Sequence, residues 1–163
     1  MTFACHAGRM QIVLTDTGYD DELAATLIGE VQQEYVTRYG GRDETPIDGD
    51  EFAPPDGAFV VALVDGEPIG CGGLRRHDDD VVEIKRMFVR AGHRRRGHAR
   101  RLLAALEDRA RAMGYRRVVL ETGTAQPEAM ALYAAEGYTP IPGFGHYRDA
   151  PGNRCYGKDL VAG

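Results

Sequence analysis

RRRGHA, residues 94–99, stands between a strand-like run and a helix-like run. Upstream, VVEIKRMFVR (81–90) sets Val82, Ile84, Phe88 and Val89 in an imperfect alternation, the pattern of a mostly buried strand. Downstream, Ala99, Leu102, Leu103, Leu106, Ala110 and Met113 recur at helical spacing and form one apolar face. A strand, a basic turn with a glycine, then a helix is an arrangement that binds phosphate. Gly97 allows close backbone approach, the N–H groups of the first helical turn have no partner within the helix, and the helix dipole favours an anion there. Arg94, Arg95 and Arg96 sit at the same end, where cations oppose the dipole unless an anion lies between them. The turn therefore reads as a seat for a phosphate or pyrophosphate. It is not a Walker loop, since no Gly-Lys-Ser/Thr follows, nor a dinucleotide fingerprint, since G-x-G-x-x-G is missing.

At 163 residues the chain has the length of one domain, 1–163, able to bury a sizeable core. Its apolar share of 43% and charged share of 28% are those of a soluble globular protein. No apolar run approaches the roughly 20 residues that span a bilayer, and the start shows no signal-peptide pattern, so no membrane partner is expected. Cys5, Cys71 and Cys155 are far apart with no CxxC pair, which argues against a disulfide framework or a zinc site and for a cytoplasmic location. Cys71 and Cys155 read as small core residues. His77, His93 and His146 lack metal-ligand spacing, so no metal is expected.

The net charge of −5 is unevenly spread. Lys85 to Arg101 holds eight lysines and arginines and no acid, whereas 43–56 holds Asp43, Glu44, Asp48, Asp50, Glu51 and Asp56 and no base. The basic strip suits an anionic ligand. The acidic stretch reads either as solvated surface or as a lure for a cation.

Along the chain, Met10–Thr15 reads as a first strand, and a helix follows from Asp20 to about Tyr39 with Leu23, Leu27, Val31 and Tyr35 at four-residue steps. Gly40-Gly41 stops it, and the Pro- and Gly-bearing 42–57 segment is a long loop. Two strands joined by Asp65-Gly66 form a hairpin, and 81–90 is the next strand. A helix over 98–113, the strand RRVVLET, a helix opening at Pro127 and ending before Gly137, and closing strands at 138–141 and 154–160 complete the order. This predicts an α/β (α+β) fold, a mixed sheet of six to seven strands flanked by helices.

Arg94-x-x-Gly97-x-Ala99 resembles the R/Q-x-x-G-x-G/A signature of the GCN5-related N-acetyltransferase (GNAT) family. The Val89-to-Arg94 spacing, the Leu102-Leu103 pair and PEAMALYAAEGY (127–138) strengthen the resemblance, which covers residues 58–141 best. It implies an acyl-CoA N-acyltransferase-like sheet splayed at its centre, with acetyl-CoA as cosubstrate. Its pyrophosphate would lie on the 94–100 loop, formed by Arg94, Arg95, Arg96, Gly97, His98, Ala99 and Arg100. For His98 the backbone N–H is expected to matter, with the ring exposed. Phe88 and Val89 would present backbone groups to the pantetheine arm and thioester carbonyl. Gln126 stands where the family often has Asn, and by position its amide would reach the pantetheine.

Glu83 falls at a position similar to the family's frequent general base, and Tyr133 matches the tyrosine that protonates the leaving thiolate. From the residues alone, Glu83 is equally an ion-pair partner of Lys85 or Arg86, and Tyr133 a core tyrosine. The implied activity is acetyl transfer to a primary amine of a small molecule or protein, the acidic loop favouring a cationic acceptor; an anionic one would recruit Arg38, Arg42 or Arg75. Two other readings stand beside it, a non-catalytic acyl-CoA-binding sensor and a nucleic-acid module. The acidic total and the lack of aromatics among the arginines speak against nucleic acid. A homodimer is left open.

Overall fold

The computed structural model describes residues 11–161. Cys5 and the expected strand start at Met10 lie outside them. β1 (Ile12–Thr17) leads to α1 (Glu22–Tyr39), whose N-cap Asp21 accepts the Leu23 N–H and whose C-cap Gly40 is left-handed at φ 80°. The 40–57 connection is a loop, as expected, apart from a 3-10 turn at Gly49–Phe52. β2 (Ala58–Val64) and β3 (Glu67–Asp78) form the hairpin, with Asp65 and Gly66 both at positive φ as a two-residue primed turn demands. β4 (Val81–Val89), α2 (His98–Ala112), β5 (Arg117–Gly123), α3 (Pro127–Ala135), β6 (Thr139–Ile141) and β7 (Asn153–Asp159) follow.

The seven strands make one sheet in the order β1-β2-β3-β4-β5-β7-β6. Neighbours are antiparallel except β4 and β5, which are parallel. The two faces bury different helices. Phe59, Val61, Cys71 and Phe88 meet Ala24, Leu27 and Val31 of α1. Val60, Leu74, Val82, Ile84, Val118 and Leu120 meet Leu102, Leu103, Leu106 and Ala110 of α2 on the other face. Burial on both faces is why AFVVALV in β2 shows no alternation. The buried stripe of α1 runs through Ala24, Leu27, Val31 and Gln32, with Leu23 40% exposed.

The feature that shapes the site is the short β4–β5 contact. Pairing runs only from Val81↔Arg117 to Ile84↔Leu120 and then stops, although both strands continue. On its other edge β4 carries a bulge: pairing jumps from Gly73↔Lys85 to Cys71↔Phe88, so Arg86 and Met87 together face Gly72. Arg86 has φ 59°, the left-handed conformation of a G1-type bulge. The extra residue bends β4 just where it leaves β5, and the strands part beyond Ile84.

Candidate active site

The 94–100 loop has the conformation a phosphate seat needs. Arg95 and Gly97 lie at φ 63° and 78°, and Gly97 is the N-cap of α2 with no side chain capping the first turn. A Cβ at Gly97 would meet no atom within 4 Å, so the space above the turn is open and the constraint there is the left-handed φ. The arginines divide their tasks. Arg94 turns back into the fold, its Nε donating to the Val89 carbonyl at 2.8 Å and its guanidinium pairing with Glu34 of α1 at 2.6 Å. Arg100 pairs with Glu136 at 2.7 Å. Arg95 and Arg96 are exposed at the turn. Ala99 packs beside the Val64, Ile69 and Val89 cluster. The His98 ring is buried rather than exposed, because the αL turn at Gly97 folds the start of α2 onto the sheet; both its nitrogens lack hydrogen-bond partners. Burial, with His93, Arg101 and Arg96 nearby, pushes its pKa down, so the ring is neutral at pH 7.

Where β4 and β5 separate there is a cleft of about 510 Å³. It is bounded by the end of α1, Ile84–Met87, Leu120–Gly123, α3 and the β6–β7 loop. The end of α1 is stitched across the β5–α3 turn. Arg38 donates to the Ala125 carbonyl at 2.8 Å and pairs with Glu128, and the Tyr39 hydroxyl donates to Gln126 Oε1 at 2.9 Å. That bond leaves the Gln126 NH2 free to donate into the cleft, which Gln126 lines.

Tyr133 also lines the cleft, with its ring buried against Tyr138 and Tyr156. Among the described residues its hydroxyl has only the Met87 thioether, at 3.7 Å, as acceptor. Burial raises the phenol well above its usual range, so it remains a proton donor at every physiological pH. Glu83 is buried, but its partner is neither Lys85 nor Arg86: Oε1 accepts from Arg75 Nε at 3.0 Å, because β3 and β4 pair Arg75 directly with Glu83. Glu83 does not line the cleft. Phe88 and Val89 lie on the stretch of β4 beyond its pairing with β5, where the Val89 carbonyl is taken by Arg94 Nε.

Sequence reading missed the charged floor of the cleft. Lys85 reaches Asp43 at 3.2 Å and Glu121 at 3.5 Å, and Arg86 pairs with Asp43. Burial alone would raise the Asp43 carboxyl, but Lys85, the hydrogen bonds of Thr45 and Arg86 hold it well below the ordinary range. Glu121 goes the other way. Burial, with Glu83 and Asp43 close by, raises it despite Lys85. The one signal for Glu121 was a carboxylate inside the apolar strand RRVVLET.

The acidic loop is mostly spent on structure. Asp43 is paired as above, Asp48 and Glu51 close a capping box, Glu51 also pairs with Arg75, and Asp56 pairs with Arg76. Arg38 and Arg75 are likewise engaged, leaving Arg42 and Glu44 as the charged cleft residues without an ion-pair partner among the described residues.

Known proteins share this fold. The Acetyltransferase (GNAT) family model matches residues 19–138. An IAA acetyltransferase of Azospirillum brasilense is 36% identical over 126 residues, 77% of this chain and 82% of that protein. Among solved structures, the putative acyl-CoA N-acyltransferase from Klebsiella pneumoniae aligns with a TM-score of 0.77 at 27% identity, covering 94% of this chain and all (100%) of that one. A GNAT acetyltransferase from Elizabethkingia anophelis with acetyl-CoA bound shares the fold, with a TM-score of 0.66 at 18% identity over 91% of this chain and 98% of that one. Fold and family match together define an acyltransferase, and the chain belongs to the GNAT acetyltransferase family. Its activity is acetyl-CoA-dependent N-acetyl transfer.

No described helix is long and apolar enough to cross a membrane. Cys71 and Cys155 are buried and free.

Proposed function

We propose that the protein moves the acetyl group directly to a primary amine through the gap between β4 and β5, with Glu121 and Tyr133 handling the two protons. The observation that carries this is their placement. Leu120 packs with Tyr133 on the α2 face, and successive strand residues point to opposite faces. Glu121 therefore approaches the cleft from the α1 face and Tyr133 from the other. An alkylamine with a pKa near 10 is about a thousandth neutral at pH 7, so a base that takes its proton speeds the attack. The amine nitrogen bonds to the acetyl carbon and the carbon–sulfur bond breaks. Glu121 takes one proton from the ammonium before attack, the Tyr133 hydroxyl gives its proton to the departing sulfur, and the second proton, shed by the nitrogen as the amide forms, restores the phenol. Glu83 is the alternative base, acting through solvent from behind Arg75.

Backbone N–H groups of the 94–100 loop would hold the pyrophosphate, with the side chains of Arg95 and Arg96 adding charge. Gln126 and the edge of β4 at Phe88 and Val89 would hold the pantetheine. The cytoplasm is the expected compartment, on the grounds of cysteine usage. A cationic acceptor is favoured, now on the strength of Glu44 and Glu121.

The test measures CoA binding by calorimetry and thiol release over a panel of cationic, zwitterionic and anionic amines. Binding with turnover on at least one amine is expected. Turnover that drops about a hundredfold or more in Glu121→Gln but little in Glu83→Gln assigns the base; the reverse pattern assigns it to Glu83. CoA binding with no thiol release on any amine would favour the acyl-CoA sensor.

A further inference from the structure

We propose that Lys85 and Asp43 are positioning residues that set the proton affinity of Glu121 by opposing effects. Lys85 favours the carboxylate, and Asp43, carried on the loop after α1, draws part of that charge away. The inference rests on Glu121 being the base.

The geometry is a shared cation. Lys85 Nζ is 3.5 Å from Glu121 Oε1 and 3.2 Å from Asp43 Oδ2, with a side chain only 5% exposed. Among the described residues it is the single cation in ion-pair contact with Glu121. The other Glu121 oxygen, Oε2, is buried and has no hydrogen-bond partner among the described residues, so it is free to take a proton. The remaining neighbours do not replace Lys85. Glu83, on β4, adds like charge but is itself taken by Arg75. Cys155 lies opposite on β7, buried and neutral, since its thiol is raised by burial. On the β6–β7 loop, Gly145 approaches Oε2 without a charge.

Asp43 is held firmly enough to compete. Its backbone N–H donates to Gln32 Oε1 at 2.8 Å, and its carbonyl accepts from Gln32 Nε2 at 3.3 Å. Its carboxylate accepts the Thr45 N–H at 2.9 Å and pairs with Arg86 at the bulge. The next residue, Glu44, donates its N–H to the Tyr147 hydroxyl at 2.7 Å, joining the loop to the β6–β7 loop across the cleft. Any acceptor that shifts this loop also shifts Asp43 against Lys85. Opposite charges within about 4–6 Å typically lower a carboxyl pKa by about 1–3 units, and a nearby like charge raises it. Loop position and base strength are thereby linked.

The experiment is the pH profile of kcat, at saturating acetyl-CoA and amine, for the full chain and four variants. Lys85→Met should move the ascending limb up by about 1–3 pH units, and Lys85→Arg should largely restore it. Asp43→Asn should move it down, opposite to Lys85→Met. A purely structural role would lower activity without moving the limbs apart. An unmoved limb in Lys85→Met, or in Asp43→Asn should Lys85→Met fail to fold, overturns the inference, as do shifts in the same direction. Glu121→Gln separates the two levels. If it keeps the wild-type limb, the base reading itself is wrong. If it loses the limb while the Lys85 and Asp43 variants leave theirs in place, only the present inference fails.

Discussion

The cofactor turn and the acyl-transfer cleft solve the problem of holding charge in opposite ways. At 94–100 the proposed binding groups are backbone N–H donors, fixed by left-handed φ at Arg95 and Gly97, and the arginine side chains around them are exposed or paired elsewhere. In the cleft the working charges are side chains, Asp43, Lys85, Arg86 and Glu121, desolvated and neutralised by one another. The turn should therefore tolerate loss of single side chains but not of its conformation. The cleft should be the reverse, since removing one buried ion leaves another uncompensated.

The largest expected effect lies in the cleft. Tyr133→Phe should lower kcat by about ten- to a thousandfold with the KM for acetyl-CoA nearly unchanged, because proton donation to sulfur matters only as the bond breaks. Full turnover in that variant, with chemistry rate-limiting, would make Tyr133 a packing residue beside Tyr138. Next comes the turn. Gly97→Val should weaken CoA binding by on the order of a hundredfold, since a β-branched residue resists positive φ and the N–H array is lost, a change of about 3 kcal/mol. Arg95→Ala and Arg96→Ala should each cost only several-fold by calorimetry. If either single arginine variant matched Gly97→Val, the backbone account of the turn would be wrong.

Smaller again is the effect of salt. Raising it from about 0.1 to 1 M shortens the screening length from about 10 to 3 Å, so CoA affinity should fall several-fold. The kcat at saturation should barely respond, because the cleft ions are buried; a kcat that tracked salt as steeply as CoA binding would erase the contrast. The smallest effect is Arg100→Ala. Its pair with Glu136 is solvent-exposed, with Arg100 67% accessible, and its removal should cost under about 1 kcal/mol in denaturant melts.

The same contrast explains which parts could be read from the sequence. RRRGHA, the Asp65-Gly66 turn and the glycines at 40 and 137 act through local φ, and each contains a residue in left-handed geometry. The GNAT resemblance added the splay, and the β4–β5 pairing ends where it implies. The cleft is built from long-range pairs. Asp43 meets Lys85 and Arg86 only because the loop after α1 folds over a bulge that no local pattern announces. Glu121 was visible as a charge in an apolar strand, but Lys85 beside it is a product of strand order. The burial of His98 was hidden for a similar reason, since a histidine next to four arginines reads as surface until the turn folds it inward.

A crystal structure with CoA tests the central claim most directly. The account predicts pyrophosphate oxygens on the N–H groups of residues 95–100, and the pantetheine arm along β4 beyond Ile84. It also predicts the sulfur within hydrogen-bond reach, about 3–4 Å, of the Tyr133 hydroxyl in place of the Met87 thioether. A pyrophosphate bound away from the α2 turn, or a sulfur that lies outside the β4–β5 gap with Tyr133 still on Met87, would contradict it.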